Sequence, residues 1–426
     1  MSDAAWSSLY MASRRDNRRK FGESVFRGAG LAAVLLASAI LVAIIGSIIV
    51  MGASAFVRND VELTVTLDPH IVDPRGTRSP VALRTADYRG LIRDALLERF
   101  PEVESRSDIM ALQTLVSPGA EFDLVRRVTK HPELIGQTLN IRAPLSDDVD
   151  QYLKHNRSDA SDRLSPLQIA WVRDLQAHGE IRQVFNGRFL LGGDSSEPEL
   201  AGVAAGVLGS FLALAVALAL AVPAGIATAV YLEEFAPRNR IADFVEANIN
   251  NLAAVPSIVF GLLGLAILIN TLGLPRSAPL VGGIVLGLMT LPTVIIAARS
   301  AIRAIPSNIY EGALAVGASR LQAMTDHVLP ASAPGILTGV IIGLAQALGE
   351  TAPLLMIGMV AFVITPPLTI YDPASALPVL IYLWAESPER AFVEKTAGAA
   401  LLLLGLLMVL NLTAVWLRQK FKVEGI

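Results

Sequence analysis

The chain has 426 residues, of which 53% are hydrophobic and only 17% charged, with a formal net charge of −3 and no cysteine. Soluble globular chains carry roughly 25% charged residues, so this composition excludes an ordinary water-soluble enzyme. The balanced charge offers no basic face for nucleic acid, and the absence of cysteine removes disulfide frameworks, thiolate nucleophiles and cysteine-bound metals.

Residues 1–27 are a basic tail carrying Arg14, Arg15, Arg18, Arg19, Lys20 and Arg27. Gly28 to Val57 (28–57) is the first apolar stretch. It exceeds the ~7 to 15 apolar residues of a secretory signal core and reads as a retained membrane helix. Residues 58–200 hold 41 of the chain's 73 charged residues and belong in water. Within them Val61-Glu62-Leu63-Thr64-Val65-Thr66-Leu67 alternates as a strand does, and Tyr88, Leu91, Ile92, Ala95 and Leu96 have helical spacing. Ile169 to Leu175 suggests a further helix, and Asn186-Gly187 a hairpin turn. A mixed α/β domain is predicted.

Five more apolar stretches follow within residues 201–426: Ala201 to Leu232, Leu252 to Leu272, Pro279 to Ala298, Ala333 to Val363 and Thr396 to Leu417. Each has the about 20 residues that a helix needs to cross a hydrocarbon core. The predicted fold is an all-α polytopic membrane protein of six transmembrane helices, with the mixed α/β domain inserted between the first two. Six crossings put both termini on one side. The tail residues, Arg238, Arg240, Arg299, Arg303, Arg320, Arg418, Lys420 and Lys422 all fall there, against Arg276, Arg390 and Lys395 opposite. This 14-to-3 imbalance puts the termini in the cytoplasm and residues 58–200 outside it.

Chemistry of the usual kinds is missing. No lysine follows a glycine, so there is no Gly-Lys-Ser/Thr phosphate loop. His70, His131, His155 and His178 are scattered through the 58–200 segment and His327 lies in a loop, without the converging ligands that zinc needs. No membrane stretch holds a histidine or lysine away from its ends to serve as a base for a serine nucleophile. A non-catalytic chain without cofactor or metal is expected.

The connection 299–334 is long for a helical membrane domain. Pro306-Ser307-Asn308 is expected to cap a short helix with Ile309, Ala313 and Val316 on one side, and Gly317 to end it. Ser319 and Gln322 have capping-box spacing for a second helix, whose apolar face, Leu321, Met324 and Val328, runs to Pro330. Such a pair could bind a protein, lie on headgroups or brace its own bundle.

Glu311-Gly312-Ala313, Gly317 and His327-Val328-Leu329-Pro330 resemble, in order and spacing, the Glu-Ala-Ala...Gly...Ile-x-Leu-Pro signature of ABC importer permeases. Gly312 stands in place of the second alanine and His327 in place of isoleucine. The resemblance implies that loop 299–334 is a coupling helix seated on an ATPase subunit, with Glu311 a polar contact, Ala313 a close-packing position and Gly317 the bend, beside Gly312, Leu329 and Pro330. Leu348-Gly349-Glu350-Thr351-Ala352-Pro353-Leu354-Leu355, with Val255-Pro256-Ser257-Ile258-Val259-Phe260-Gly261-Leu262 and Leu291-Pro292, resembles the A-type (PstA-type) permeases of the phosphate-specific branch, over about residues 201–426. That implies the type I ABC importer permease fold in a bacterial inner (plasma) membrane, with 58–200 periplasmic. It also implies a pathway for inorganic phosphate built with a homologous C-type permease, two copies of a phosphate-loop ATPase and a periplasmic phosphate-binding protein.

Glu350 is the acidic residue well inside an apolar stretch, about 25 Å along the fifth helix when counted from Ala333 at 1.5 Å per residue. An ionisable group there is a candidate for the transport path, or a brace for a helix weakened by Pro353. Family members often have arginine where this chain has Gln346, one turn earlier. Glu350 would then pair with a basic group of the partner permease, or order Thr351 and nearby backbone donors towards the anion. Competing readings are a permease for another oxyanion (sulfate, molybdate or phosphonate), against which the 349–355 motif argues, and a membrane receptor, which would be expected to carry a cytoplasmic output domain. The 58–200 domain could guide the binding protein, brace the partner permease or regulate transport, and contact with the binding protein is the favoured expectation.

Overall fold

A computed structural model describes residues 3–155, 163–237, 239–360 and 362–420, with side chains from residue 19 onward. Arg238, Lys422 and the side chains of Arg14, Arg15 and Arg18, all counted in the charge imbalance, lie outside these. The chain divides into two compact units after Met51. Helix α1 (Asp3–Ala53) holds most of the first unit and the first apolar stretch up to Ala53, and Leu35, Ile40 and Val42 along it are exposed, as in a helix whose solvent is lipid.

The second unit begins with the charged segment, a three-stranded antiparallel sheet covered by helices. Strand β1 (Val57–Thr66) lies between β2 (Thr138–Pro144) and β3 (Ile181–Phe185), with Val61 opposite Ala143 and Ile181. The alternation expected from sequence is kept: Val61, Leu63 and Val65 are buried, while Thr64 and Thr66 face outward and bond across to Asn140 and Thr138. The covering helices are α2 (Pro69–Val72), α3 (Pro80–Thr85), α4 (Tyr88–Arg99), α5 (Arg106–Gln113), α6 (Gly119–Lys130), α7 (Asp147–His155) and α8 (Pro166–Ala177). Leu91, Leu96, Leu124, Trp171 and Leu175 from these helices close one core over β1. Arg99 ties α4 to Asp174 of α8 at 2.7 Å and to Glu180 at 2.9 Å.

The hairpin expected at Asn186-Gly187 does not form. Asn186 instead caps a short helix α9 (Gly187–Leu191), its Oδ1 accepting from Phe189 N–H and its Nδ2 donating to Ala55 O. With no returning strand to pair with, the asparagine satisfies an orphan helix N–H instead, and Phe189 is driven into the core edge-on to Phe56 at 5.3 Å.

The helical part comprises α10 (Ala204–Phe235), α11 (Arg240–Ala253), α12 (Ser257–Thr271), α13 (Pro279–Arg303), α14 (Ser307–Ala315), α15 (Arg320–Gly349), α16 (Ala352–Met356), α17 (Leu377–Ala385) and α18 (Ala391–Lys420). With α1 these supply, among the described residues, five helices able to span a membrane, or six if the bent pair α11 and α12 counts as one. The third apolar stretch is therefore not straight: it turns through 102° between α11 and α12. Pro256 cannot continue the hydrogen-bond ladder and keeps Val255 out of helical geometry.

The fifth stretch also breaks. Pro353 would drive its ring into the carbonyl of Gly349, four residues back, and α15 ends at Gly349. Glu350 is thus at an extended cap position (φ −79°, ψ 119°) rather than within a helix that runs on to Val363. At the other end, Pro330 does not terminate the second loop helix. A π turn over Ala323–Val328 widens the ladder ahead of it, so α15 runs unbroken from Arg320 to Gly349.

Small residues set the helix spacing. Gly335, Gly339 and Gly343 form a stripe on α15 facing Ala301, Ala297 and Thr290 of α13, and an ideal Cβ at Gly339 would stand 2.0 Å from the Ala297 Cβ. Gly283 and Gly287 of α13 meet Val216, Ala217 and Leu220 of α10 in the same way. The charged domain is joined to the helices by a buried ionic seam. Lys154 of α7 lies 2.7 Å from both Asp150 and Glu394, the latter in the first turn of α18, and the Lys154 and Glu394 side chains are 4% and 5% exposed.

Candidate functional site

At one end of the helical unit, charges tie the 299–334 loop to three membrane helices. The last turn of α10 carries Glu233 and Glu234 just beyond the apolar run. Glu233 accepts from Arg299 Nε at 2.6 Å and Arg303 Nε at 2.8 Å, and Arg299 also donates to Glu246 of α11 at 3.0 Å. Tyr310 of α14 donates its hydroxyl to Glu234. Burial and the adjacent Glu234 push that hydroxyl up to about 12, so it remains a donor at neutral pH. Sequence reasoning missed this network. Its signal was an acidic pair closing the second apolar stretch and two arginines closing the fourth.

The loop residues singled out from sequence separate into two groups. Ala313 is buried and Leu329 half-buried, and Leu329 packs with Met324 and Val328 against Ala229, Ala298, Ile302 and Ile336. Glu311, Gly312 and Pro330 are exposed, together with Val316 at 86% and Leu321 at 57%. The expected apolar faces are therefore shared between an inward brace and an outward rim, and Val316 does not join Ile309 and Ala313. Gly317 sits between the helices at φ +97°, a region that side-chain-bearing residues rarely enter. The capping box of Ser319 and Gln322 is present, whereas Pro306 holds the cap position of α14 without a side-chain bond and Ser307 is already helical.

The second place is the break at Glu350. Gly261 of α12 is pressed onto it, since a Cβ there would lie 2.7 Å from Pro353 Cα and 2.9 Å from Met356 Cβ. The Val255–Leu262 and Leu348–Leu355 motifs, far apart in sequence, are thus in direct contact, and the glycine permits it. Gln346 and Gly349 are exposed, and Glu350 and Thr351 half-buried, so this face of the break is open within the chain. Thr351 O accepts from Leu355 N–H and starts α16. Among the described residues, no hydrogen bond or ion pair engages the Glu350 carboxylate. The structure brings Gln346, Glu350 and Thr351 together, and separates them from Glu311, Gly312, Ala313 and Gly317 by the length of α15.

Comparison with known proteins follows the same division. The family described as "Binding-protein-dependent transport system inner membrane component" matches residues 221–423, and one described as a domain of unknown function (DUF3333) matches residues 13–163. The chain is 35% identical over 218 residues to the phosphate transport system permease protein PstA 1 of Mycobacterium tuberculosis, covering 51% of this chain and 70% of that one. It is 31% identical to the probable ABC transporter permease protein YqgI of Bacillus subtilis, covering 49% and 74%. Among solved structures, the inward-facing MetNI methionine ABC transporter matches at a TM-score of 0.39 and 20% identity, over 50% of this chain and 91% of that one. The break motif, the loop signature and the relatives agree, and the chain belongs to the family of binding-protein-dependent ABC transporter permeases, among its PstA-type members.

Proposed function

We propose that this chain is the membrane-spanning permease subunit of an ATP-driven importer of inorganic phosphate. Its relatives named as phosphate transport permeases carry the substrate assignment. In this reading residues 1–27 are a cytoplasmic tail, 28–57 the first membrane helix, 58–200 a periplasmic domain and 201–426 the permease core. The open face at Gln346, Glu350 and Thr351 completes a pathway against a homologous C-type permease, which supplies the basic group that the lone carboxylate lacks. The rim of Glu311, Gly312, Val316 and Leu321 around Gly317 seats on one of two phosphate-loop ATPases. Ala313 and Leu329 brace the rim, with Pro330 exposed beside them, so that a push on it reaches the Glu350 break along α15. ATP hydrolysis belongs to the partner, and a periplasmic binding protein delivers the ion.

The test is uptake of labelled phosphate at micromolar concentration by cells with and without the gene, with sulfate and molybdate as competitors. Loss of uptake on deletion, with neither competitor affecting the wild type, is expected. Unchanged uptake in cells lacking other high-affinity phosphate transport would remove phosphate as the substrate.

A further inference from the structure

The charged domain and the segment beyond the Glu350 break border an open cavity of about 910 Å³. One wall is α6; another is the Gly192–Ser196 segment leading towards α10; the third is the chain at Phe362 and Ile364. These last two are joined backbone to backbone. Asp194 N–H donates to Val363 O at 2.8 Å, and Gly193 comes so close that an ideal Cβ would stand 1.9 Å from Ile364 O. Only glycine fits there.

Three guanidiniums, of Arg58, Arg126 and Arg188, converge on this cavity. Arg58 Nη2 donates to Asp60 Oδ2 at 3.0 Å, and its Nε lies 2.9 Å from Oδ1 as an ion-pair contact. Arg126 and Arg188 share a single acceptor, Asp123 Oδ1, at 2.7 and 2.6 Å. One carboxylate thus serves two guanidiniums, with Asp60 also acting on Arg188. Burial, with the positive charges of Arg58 and Arg126 beside it, holds Arg188 below the usual arginine range.

Two further acids, Asp194 and Glu197, also line the wall. Asp194 Oδ1 accepts from Trp384 Nε1 and Ser195 N–H, and burial raises its carboxyl above the usual range. Glu197 is exposed on the rim. Ser195 Oγ accepts from Glu197 N–H, which leaves its own O–H to donate. The Arg126 side chain is 70% exposed, free to turn towards an occupant. Guanidinium forks and hydroxyl donors are the recognition chemistry of phosphate oxygens.

We propose that this cavity binds an oxyanion of the phosphate class, held by Arg126 and Arg58 with Ser195, and with Arg188 fixing the positive wall behind them. Exposed Phe122, Leu191, Phe362 and Ile364 line its apolar side, so the same chemistry suits free phosphate or a phospholipid headgroup whose chains lie on that side. A role as a waiting site for the transported ion rests on the phosphate-import reading; binding itself does not.

The full chain in phosphatidylcholine nanodiscs, dialysed to equilibrium against radiolabelled inorganic phosphate, tests this. Saturable binding is expected, weakened roughly tenfold or more by Arg126→Gln, a loss of about 1.4 kcal/mol, and unchanged by Arg127→Gln on the same helix. If the source is a lipid headgroup, free phosphate shows no saturable binding. Phosphorus analysis of the detergent-purified chain then finds bound phosphatidylglycerol that Arg126→Gln releases. Absence of both ligands, or a phosphate signal abolished by Glu350→Gln but untouched by Arg126→Gln, overturns the site. Circular dichroism confirms that the variant is folded. Phosphate binding at Arg126 in a chain whose deletion leaves cellular uptake unchanged would retain the site and refute the transport reading.

Discussion

Glu350 is a carboxylate held half-buried at a helix break, with no cation of its own chain among the described residues to neutralise it. Replacing it with glutamine keeps shape and one acceptor but removes the charge. Glu350→Gln is expected to lower uptake by roughly tenfold or more, about 1.4 kcal/mol on the transport barrier, with unchanged co-purification of the proposed partner permease. Full uptake would make Glu350 a brace. Asp147 answers to a different pressure. Burial first, and then the charges of Glu199, Asp148, Asp150 and Glu394, raise its carboxyl to about 8. A raised acid pKa means that the folded state holds a proton that the unfolded state releases. The associated stability is complete below the ordinary aspartate value of about 3.9 and is lost as pH rises to about 8. Asp147→Asn should therefore flatten the fall in melting temperature between pH 5 and 8, a comparison to be run on both proteins in one detergent. Residue types marked Glu350 in the sequence because it stands in an apolar run. Asp147 was not legible, since its burial and the nearby charges of Glu199 and Glu394 come from segments distant in sequence.

Among the elements, the glycine stripe of α15 and the bend at Gly317 make separate demands. Gly339→Leu forces side-chain atoms into Ala297 and should cost about 1 to 3 kcal/mol, seen as a lower melting temperature and reduced accumulation in the membrane. Gly317 has nothing near a Cβ and is constrained only by its φ of +97°. Gly317→Asp should therefore leave accumulation near normal yet abolish uptake by misdirecting the rim. Normal uptake would refute the coupling role of the bend. Both signals were present in the sequence, as glycines at four-residue spacing and as a glycine between two helical patterns. The bends at Pro256 and Pro353 were less legible. Hydropathy counts apolar residues and does not register a missing N–H, so each broken segment reads as one continuous span.

At the scale of the molecule, the 58–200 segment is packed into the membrane unit rather than tethered to it. Lys154, Asp150 and Glu394 bury their charges together where α7 meets α18. Truncating one member leaves buried charge uncompensated, and Lys154→Ala should cost about 3 to 5 kcal/mol. Calorimetry should then resolve two transitions where the wild type shows one. A single shifted transition would mean that apolar contacts alone, such as Phe189 with Leu377 and Leu380, keep the two parts together.

Composition and periodicity by themselves determined that the chain is membrane-embedded with a water-soluble insertion. They also located α4, α8, β1, the paired loop helices and the acidic residue within the fifth apolar run, because burial in lipid or in a core imposes residue choices that recur every two or 3.6 positions, whereas the loop and break motifs were legible only through their resemblance to permeases. Only the tertiary structure decided that Asn186 caps a helix, that Gly261 seats on Pro353, that Glu233 and Arg299 lock the loop, and that three arginines surround one cavity. Each of these depends on which distant segments become neighbours, and no local pattern encodes the partner of a buried charge.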